Sequence, residues 1–522
     1  MVTMAATASS PLLRPLAGAV AAGAAALAFA PAAAALDWRF EPSVTARAIY
    51  SDNVNQSATD PEHGLSLSAT PGFSLRSEGS RRVKAVVQYG LTAVARVGGN
   101  DDEDLFHRLS AVGNAELVED FLFVDASARV SQELISLLGS PAGAEVNDSN
   151  RATVGTYSIS PYIQKRLGTF ADAQLRYTAS GAIFENDVAA TAASNGVLAA
   201  LTSGTRFDDL SWGLNYSLRK VENRDAEDVT LERATATAGY ALTRKFRVFG
   251  SVGQDWNEYL STTDTDGSSY SVGFGWAPTR RASVEASVGE RYFGNTFGFS
   301  GNYRARRSNW TVRYSEDVSD ITQQFLRESS RIFWVCDGVL FETDGLDPPP
   351  GQTGCSGPIT AGQLATFFDT LGVSLSDLIA ANLLNVGTAN GIFVIKSFTA
   401  SASWNFGRLG FGLAARDTRR LYQLFGDAQD RVQSLSGSAN YRLSPKTTAN
   451  SGVTLTRTRV DGALTGLGNR EDDRLTLEVG LNHRFAEKLN GALSLRHIQR
   501  DSSDSNADYD ENRLTASVNM RF

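Results

Sequence analysis

Residues 83–97 read VKAVVQYGLTAVARV. The odd positions, Val83, Ala85, Val87, Tyr89, Leu91, Ala93, Ala95 and Val97, are apolar or aromatic, while the even ones include Lys84, Gln88, Thr92 and Arg96. Successive side chains of an extended chain point to opposite faces, so this segment predicts a strand with one apolar and one polar face. The register returns where Tyr270, Val272, Phe274 and Trp276 alternate with Ser269, Ser271, Gly273 and Gly275, and again along 475–485. It also ends the chain: Leu514, Ala516, Val518, Met520 and Phe522 alternate with Thr515, Ser517, Asn519 and Arg521.

A soluble sandwich alternates too, so the connections must decide. One set is short and basic, around Arg81, Lys165, Arg206, Arg244, Arg280, Arg304, Arg408, Lys446 and Lys488. The other is longer and acidic, at 52–62, 101–104, 145–148, 222–228, 264–266, 471–473 and 501–511. Short turns at one end and long loops at the other predict a bacterial outer-membrane barrel whose apolar face meets lipid. Trp38, Trp212, Trp276, Trp310 and Trp404 fall on that face at the short-turn ends, where a periplasmic aromatic girdle belongs. A chain closing on an alternating strand with a terminal Phe522 resembles the assembly signal of such barrels. About 21 segments alternate clearly, and a single-chain barrel with both ends in the periplasm needs an even number. Loop parity therefore places a weak strand within 188–202, turning near 203–206. The expected fold is all-β: one antiparallel transmembrane β-barrel of about 22 strands, within a range of about 18 to 22, with a partly helical extracellular or lumenal insertion.

Composition narrows the classes. With 42% hydrophobic and 20% charged residues, the chain of 522 is not a disordered polymer. A mean hydropathy of −0.19 argues against a multi-helix membrane protein, so whatever spans a bilayer must be a closed sheet. The net charge of −8 gives no reason to expect a nucleic-acid partner. Residues 1–35 carry one charge, Arg14, then an Ala- and Leu-rich run and Ala33 and Ala35 at small-x-small spacing. This reads as a signal peptide ahead of a barrel over 36–522; an uncleaved helical anchor is the alternative.

One interval, 320–390, does not alternate. It holds Cys336, Cys355, the run Pro348–Pro350, and helical spacing at Leu364, Phe367, Phe368, Leu371, Leu375, Leu378 and Ile379. It is too long for a plain loop, and reads either as a lid or plug or as a decorated surface loop. In an exported chain the two cysteines are expected to form a disulfide that closes it, with two free thiols as the alternative.

Catalytic chemistry finds little support. The four His, at 63, 107, 483 and 497, are scattered and lack ligand-spaced partners, so no metal site, cofactor or catalytic residue is expected. No nucleophile elbow or phosphate-binding glycine loop occurs, so the chain is read as non-enzymatic. The polar face places Arg96, Arg129, Arg176, Arg219, Arg313, Arg416 and Arg484 toward the lumen, with Asp125, Asp172, Glu285 and Glu478 among them. Such an excess either favours anionic solutes or forms a salt-bridge lattice bracing the wall.

At the mature N-terminus Trp38, Phe40, Pro42, Ser43, Val44, then Tyr50, Ser51, Asp52, Asn53, Val54 and Pro71, Gly72, Phe73 form a pattern, with Tyr157 to Tyr162, Arg176 and Tyr177 further on. It resembles the PEP-CTERM system-associated outer-membrane β-barrel family over nearly all of 38–522. That resemblance implies a bacterium with exosortase-type protein sorting and exopolysaccharide genes. It implies a barrel serving as an export or assembly channel component, in contact with exopolysaccharide or its export components. A general diffusion porin is the alternative reading, and a rim-sited enzyme a second one. Outer-membrane lipid, lipopolysaccharide and the barrel assembly machinery are the further expected partners.

Overall fold

The computed structural model describes residues 37–98, 103–184, 191–224, 227–330, 332–336, 339–343, 346, 355–360, 391–424, 426, 428–465 and 468–522. The signal-peptide segment and the helical spacing of 361–390 lie outside these described residues. Chain order begins with the hairpins β1 (Asp37–Ser51) and β2 (Gly64–Glu78), β3 (Val83–Val97) and β4 (Glu103–Val118), and β5 (Leu122–Leu134) and β6 (Arg151–Leu167). Next come β7 (Ala171–Phe184), β8 (Ala192–Ser203), β9 (Leu210–Asn223), β10 (Val229–Thr243), β11 (Phe246–Glu258) and β12 (Gly267–Thr279). After β13 (Ala282–Arg291), β14 (Gly294–Arg304) and β15 (Ser308–Ser319) comes the insertion. It contains α1 (Ile321–Ser330), β16 (Ile332–Cys336), β17 (Val339–Thr343) and β18 (Cys355–Thr360). The wall resumes with β19 (Phe393–Asn405), β20 (Leu409–Tyr422), β21 (Gln429–Ser444) and β22 (Thr447–Val460), and ends with β23 (Arg470–Ala486), β24 (Leu489–Ser502) and β25 (Tyr509–Arg521).

Twenty-two of these strands form one antiparallel sheet. β1 pairs with β25 from Ser43 opposite Arg521 to Ser51 opposite Arg513, so the sheet closes on itself and leaves no edge. The chain is a 22-strand barrel of the bacterial outer membrane. Its weakest strand in sequence terms, β8, is Ala-rich and pairs with both neighbours along its length. Phe522, exposed beyond β25, donates its backbone N–H to the Pro42 carbonyl across the closing seam at 2.9 Å.

The periplasmic turns follow from local chemistry. In three of the two-residue turns the hydroxyl of Thr243, Thr279 or Ser444 accepts the N–H of Lys245, Arg281 or Lys446 at 3.2 Å. Each of these hairpins carries a register shift beside its turn, which lets so short a connection match the strand twist. At Gly407, in the turn after β19, φ is +79°, a conformation that costs a residue with a Cβ. The basic residues of the turns thus gather at the short-turn rim of the barrel. Above them Trp38, Trp276 and Trp310 stand exposed on the outer face. Trp404 packs edge-on against Trp310 at 5.1 Å, and Trp212 packs against Phe170 and Phe207.

The insertion builds a separate three-stranded sheet with β16 in the middle. Its register sets Cys336 directly opposite Cys355. Opposed residues of antiparallel strands have Cα atoms at a separation a disulfide can span. A non-reduced digest should therefore yield the two cysteine peptides linked, and the bridge should stabilise the insert by on the order of 3 kcal/mol. Recovering both cysteines alkylated before reduction would reject it.

Candidate functional site

The inward face is polar and largely self-neutralised. Arg176 meets Asp125 at 2.6 Å, Arg129 meets Glu133 at 3.1 Å, and Arg96 pairs with Asp104. Arg219 reaches Asp320 at 2.5 Å, and Arg416 is also engaged. Arg313 and Arg484 are exposed side chains on the lumenal face of β15 and β23. Arg96–Asp104 joins neighbouring strands, Arg129–Glu133 lies within β5, Arg176–Asp125 skips a strand and Arg219 reaches the start of the insertion, so the pairs form a network along the wall. Other inward pairs extend it: Arg496 to Glu478 at 2.9 Å, Arg513 to Glu511 at 2.7 Å, and Arg291 to Asp255 at 2.8 Å. His107, His483 and His497 hydrogen-bond to Tyr89, Thr447 and Asn512. Among the described residues no group of three His, Cys, Asp or Glu gathers to hold a metal.

Two pieces of chain enter this lumen. The first is the connection 135–150 between β5 and β6, hereafter the strap. Its base is pinned by the buried Asn150, whose side chain donates to the carbonyls of Ser136 and Ser140 and accepts from the Ser136 N–H. Gly139 lies so close that a Cβ there would meet the Asn150 amide at 2.3 Å. From this base the strap crosses to distant strands. Ala142 and Val146 pack on Ile49 of β1. Arg500 of β24 donates to the carbonyls of Leu138 at 2.9 Å and Gly139 at 3.1 Å. Arg47 of β1 holds Glu145 at 2.6 Å, and Arg96 of β3 reaches the Ala144 carbonyl and lies 3.9 Å from Asp148.

Burial, with help from the Asp104 carboxylate, pushes the Asp148 carboxyl above its usual range despite the nearby Arg96. A seated strap therefore binds this proton more tightly than a lifted, solvated one. The contribution to closure is full at low pH and is lost as pH rises through the raised value.

The second piece is the insertion. Asp320 caps α1 by accepting the Gln323 N–H, and α1 runs from the end of β15 to β5, β6 and β7 on the far side of the barrel. Phe325 there packs edge-on against Phe184 at 5.5 Å. The buried cluster around it joins Val154 and Ala182 of β6 and β7 to Phe393, Tyr422 and Val460 of β19, β20 and β22, with Leu464 and the strap's Leu137 and Leu138. Side chains from opposite walls thus share one apolar core at the outer mouth. Deeper, Ile332 and Trp334 of β16 are buried against Val112 of β4, and Arg76, two residues from the periplasmic end of β2, donates to the Gly357 carbonyl of β18 at 3.1 Å. The described strands of the insertion therefore pack against the inner wall of the barrel.

Sequence reasoning missed the strap. It read 145–148 as an acidic outer loop, although Ile135, Leu137, Leu138, Pro141, Ala142 and Val146 lie in one 16-residue connection. Apolar residues at that density in a loop were the available sign that it packs against something.

No family model matches the chain, and no curated protein matches it. Among solved structures it is similar to the siderophore receptor PirA of Acinetobacter baumannii, at 8% identity and a TM-score of 0.50, over 92% of this chain and 80% of that one. PirA of Pseudomonas aeruginosa matches at 10% identity, TM-score 0.47, over 93% and 80%. The FrpB iron transporter of Neisseria meningitidis matches at 11% identity, TM-score 0.47, over 92% and 82%. The first of these supports the fold. Two expectations are corrected here. The solved barrels that resemble this chain are siderophore and iron receptors, not exopolysaccharide export or assembly channels, and exopolysaccharide components lose their place as partners. A general diffusion porin is overturned by the same likeness, and a lumen crossed by an apolar core is not an open pore.

Proposed function

We propose that the chain is an outer-membrane uptake receptor for a bulky, scarce solute of the ferric siderophore class. The observation that carries this reading is a barrel wide enough to pass a large ligand yet obstructed by its own chain at two depths. Barrels of 22 strands are the size class of plugged outer-membrane transporters. The strap and insertion supply the obstruction here, with a disulfide-sized cross-strand pair, Cys336 and Cys355, in the insert. The printed functions of the solved structures it resembles point the same way, toward iron chelates as the cargo. Outer-membrane lipid and lipopolysaccharide contact the exposed apolar belt, and Phe522 at the seam is the place for the barrel assembly machinery to engage.

The test is uptake. The full-length protein, expressed in an outer-membrane host stripped of its own ferric receptors, should restore accumulation of radiolabelled iron from at least one class of ferric chelate under iron limitation. A panel of hydroxamate, catecholate and carboxylate chelates that all fail to restore accumulation, with the protein present and folded in the membrane, would reject the reading.

A further inference from the structure

We propose that the lumenal wall of β22 to β25, where it faces the strap, holds a binding site for one small oxyanion of the phosphate class, with Arg474 as its main ligand. This goes beyond the receptor reading and does not depend on it. Three observations lead there.

First, the register concentrates positive charge. Thr456 of β22 is directly opposite Arg474 of β23, which is opposite Arg500 of β24, which is opposite Tyr509 of β25, so four side chains stand in one row across adjacent strands. Like charges directly opposite each other are unfavourable unless a counter-charge joins them. Second, the wall supplies a counter-charge to only one of the two arginines. Asp472 is the carboxylate of this patch, and both its oxygens are taken: Oδ1 by Arg470 at 2.9 Å and by the Ser502 hydroxyl, Oδ2 by Arg500. Glu511 on β25 is held by Arg513, Ser51 and Gln56. Arg474 has no ion-pair partner among the described residues.

Third, the row adjoins a space and an unused donor. A cavity of about 60 Å³ is lined by Thr456, Thr458, Arg474 and Arg500 on the wall, and by Leu137 and Gly139 of the strap. That is room for a few waters, or for one oxyanion in their place. The Tyr509 hydroxyl is buried without a hydrogen-bond partner, and its phenol interacts electrostatically with both Arg474 and Arg500. A buried donor in this state is unfavourable until an acceptor reaches it.

The donors select the ligand class. A guanidinium offers paired N–H groups to two oxygens at once, and the hydroxyls of Thr456, Thr458 and Tyr509 add single donors, a set that suits an anion with several acceptor oxygens. The size of the cavity restricts it to a small one. Its charge would neutralise Arg474 and relieve the repulsion from Arg500. The seated strap forms the other side of the cavity and limits access of water, which strengthens each of these bonds.

The experiment is calorimetric titration of the purified full-length protein in detergent with sodium phosphate, with ionic strength held constant by sodium chloride. Folding of every variant is checked by its heat-dependent gel mobility. Phosphate should bind saturably at one site per chain. Arg474→Gln should weaken binding by about tenfold or more, the loss of a charge-assisted pair, and Tyr509→Phe by about threefold or more. Arg484→Gln, at the opposite end of β23, should leave it unchanged. No saturable binding to the folded parent, or equal binding by the folded Arg474→Gln and Tyr509→Phe variants, overturns the site. Binding of ferric citrate without binding of phosphate would assign the row to a carboxylate of the cargo and overturn the free-anion assignment. A failed uptake test leaves this site standing, and a failed phosphate titration leaves the receptor reading standing.

Discussion

Replacing residues 320–392 by an Asn-Gly turn should convert a closed barrel into an open one, read as a rise in single-channel conductance on the order of tenfold or more in a planar bilayer. The replacement is geometrically mild. Ser319 and Phe393 are direct cross-strand partners at the ends of β15 and β19, so a two-residue hairpin turn joins them without moving either strand. What disappears is α1, which ties the end of β15 to β5, β6 and β7, and the sheet seated against Val112 and Arg76. The 22-strand wall keeps every pairing it had, because each inserted strand pairs only with another inserted strand. Cells carrying the variant should also become sensitive to bulky antibiotics that the intact outer membrane excludes. A variant that folds but conducts like the parent would show that the insertion does not obstruct the lumen.

The wall was legible in the sequence because a barrel states its architecture locally. Alternation marks each strand, and the Thr243-Arg244-Lys245 kind of turn marks each periplasmic end, so neither depends on distant partners. Loop parity even located β8, whose Ala-rich segment alternates weakly. The lumen was legible only in part. That Arg176 faces inward follows from its register in β7, but that it meets Asp125 on β5, two strands away, depends on strand stagger that no single segment carries. The strap was out of reach for a stronger reason. Arg500 and the Leu138 carbonyl are 362 positions apart, and only barrel closure through β25 and β1 brings them together. Function was misjudged at the same level: a wide barrel reads as a channel until the chain that fills it has been placed.

Asp430→Ala should be the most destabilising single substitution at the outer mouth, lowering stability by about 3–5 kcal/mol, the loss expected when one member of a buried ion pair is removed. Arg420 and Asp430 face each other across β20 and β21, with Nε to Oδ1 at 2.8 Å and side chains 5% and 1% exposed. The Tyr422 hydroxyl donates to the other carboxylate oxygen at 2.6 Å. Beside them lies the apolar core of Phe325, Phe393 and Val460, the last directly opposite Asp430, so neither charge has ready access to water while the mouth is shut. Removing the carboxylate strands a guanidinium and a phenol together. Replacing both charges, as Arg420→Met with Asp430→Leu, removes the desolvation cost along with the attraction and should leave stability within about 1–2 kcal/mol of the parent. Urea unfolding of the detergent-solubilised barrel, followed by its heat-dependent gel mobility, compares the three proteins directly. If the mouth were open to solvent, Arg420 would rehydrate in the single variant, and its loss would shrink to the ~0–1 kcal/mol of a surface pair. A small effect for Asp430→Ala would therefore contradict the sealed mouth itself, independently of any transport measurement.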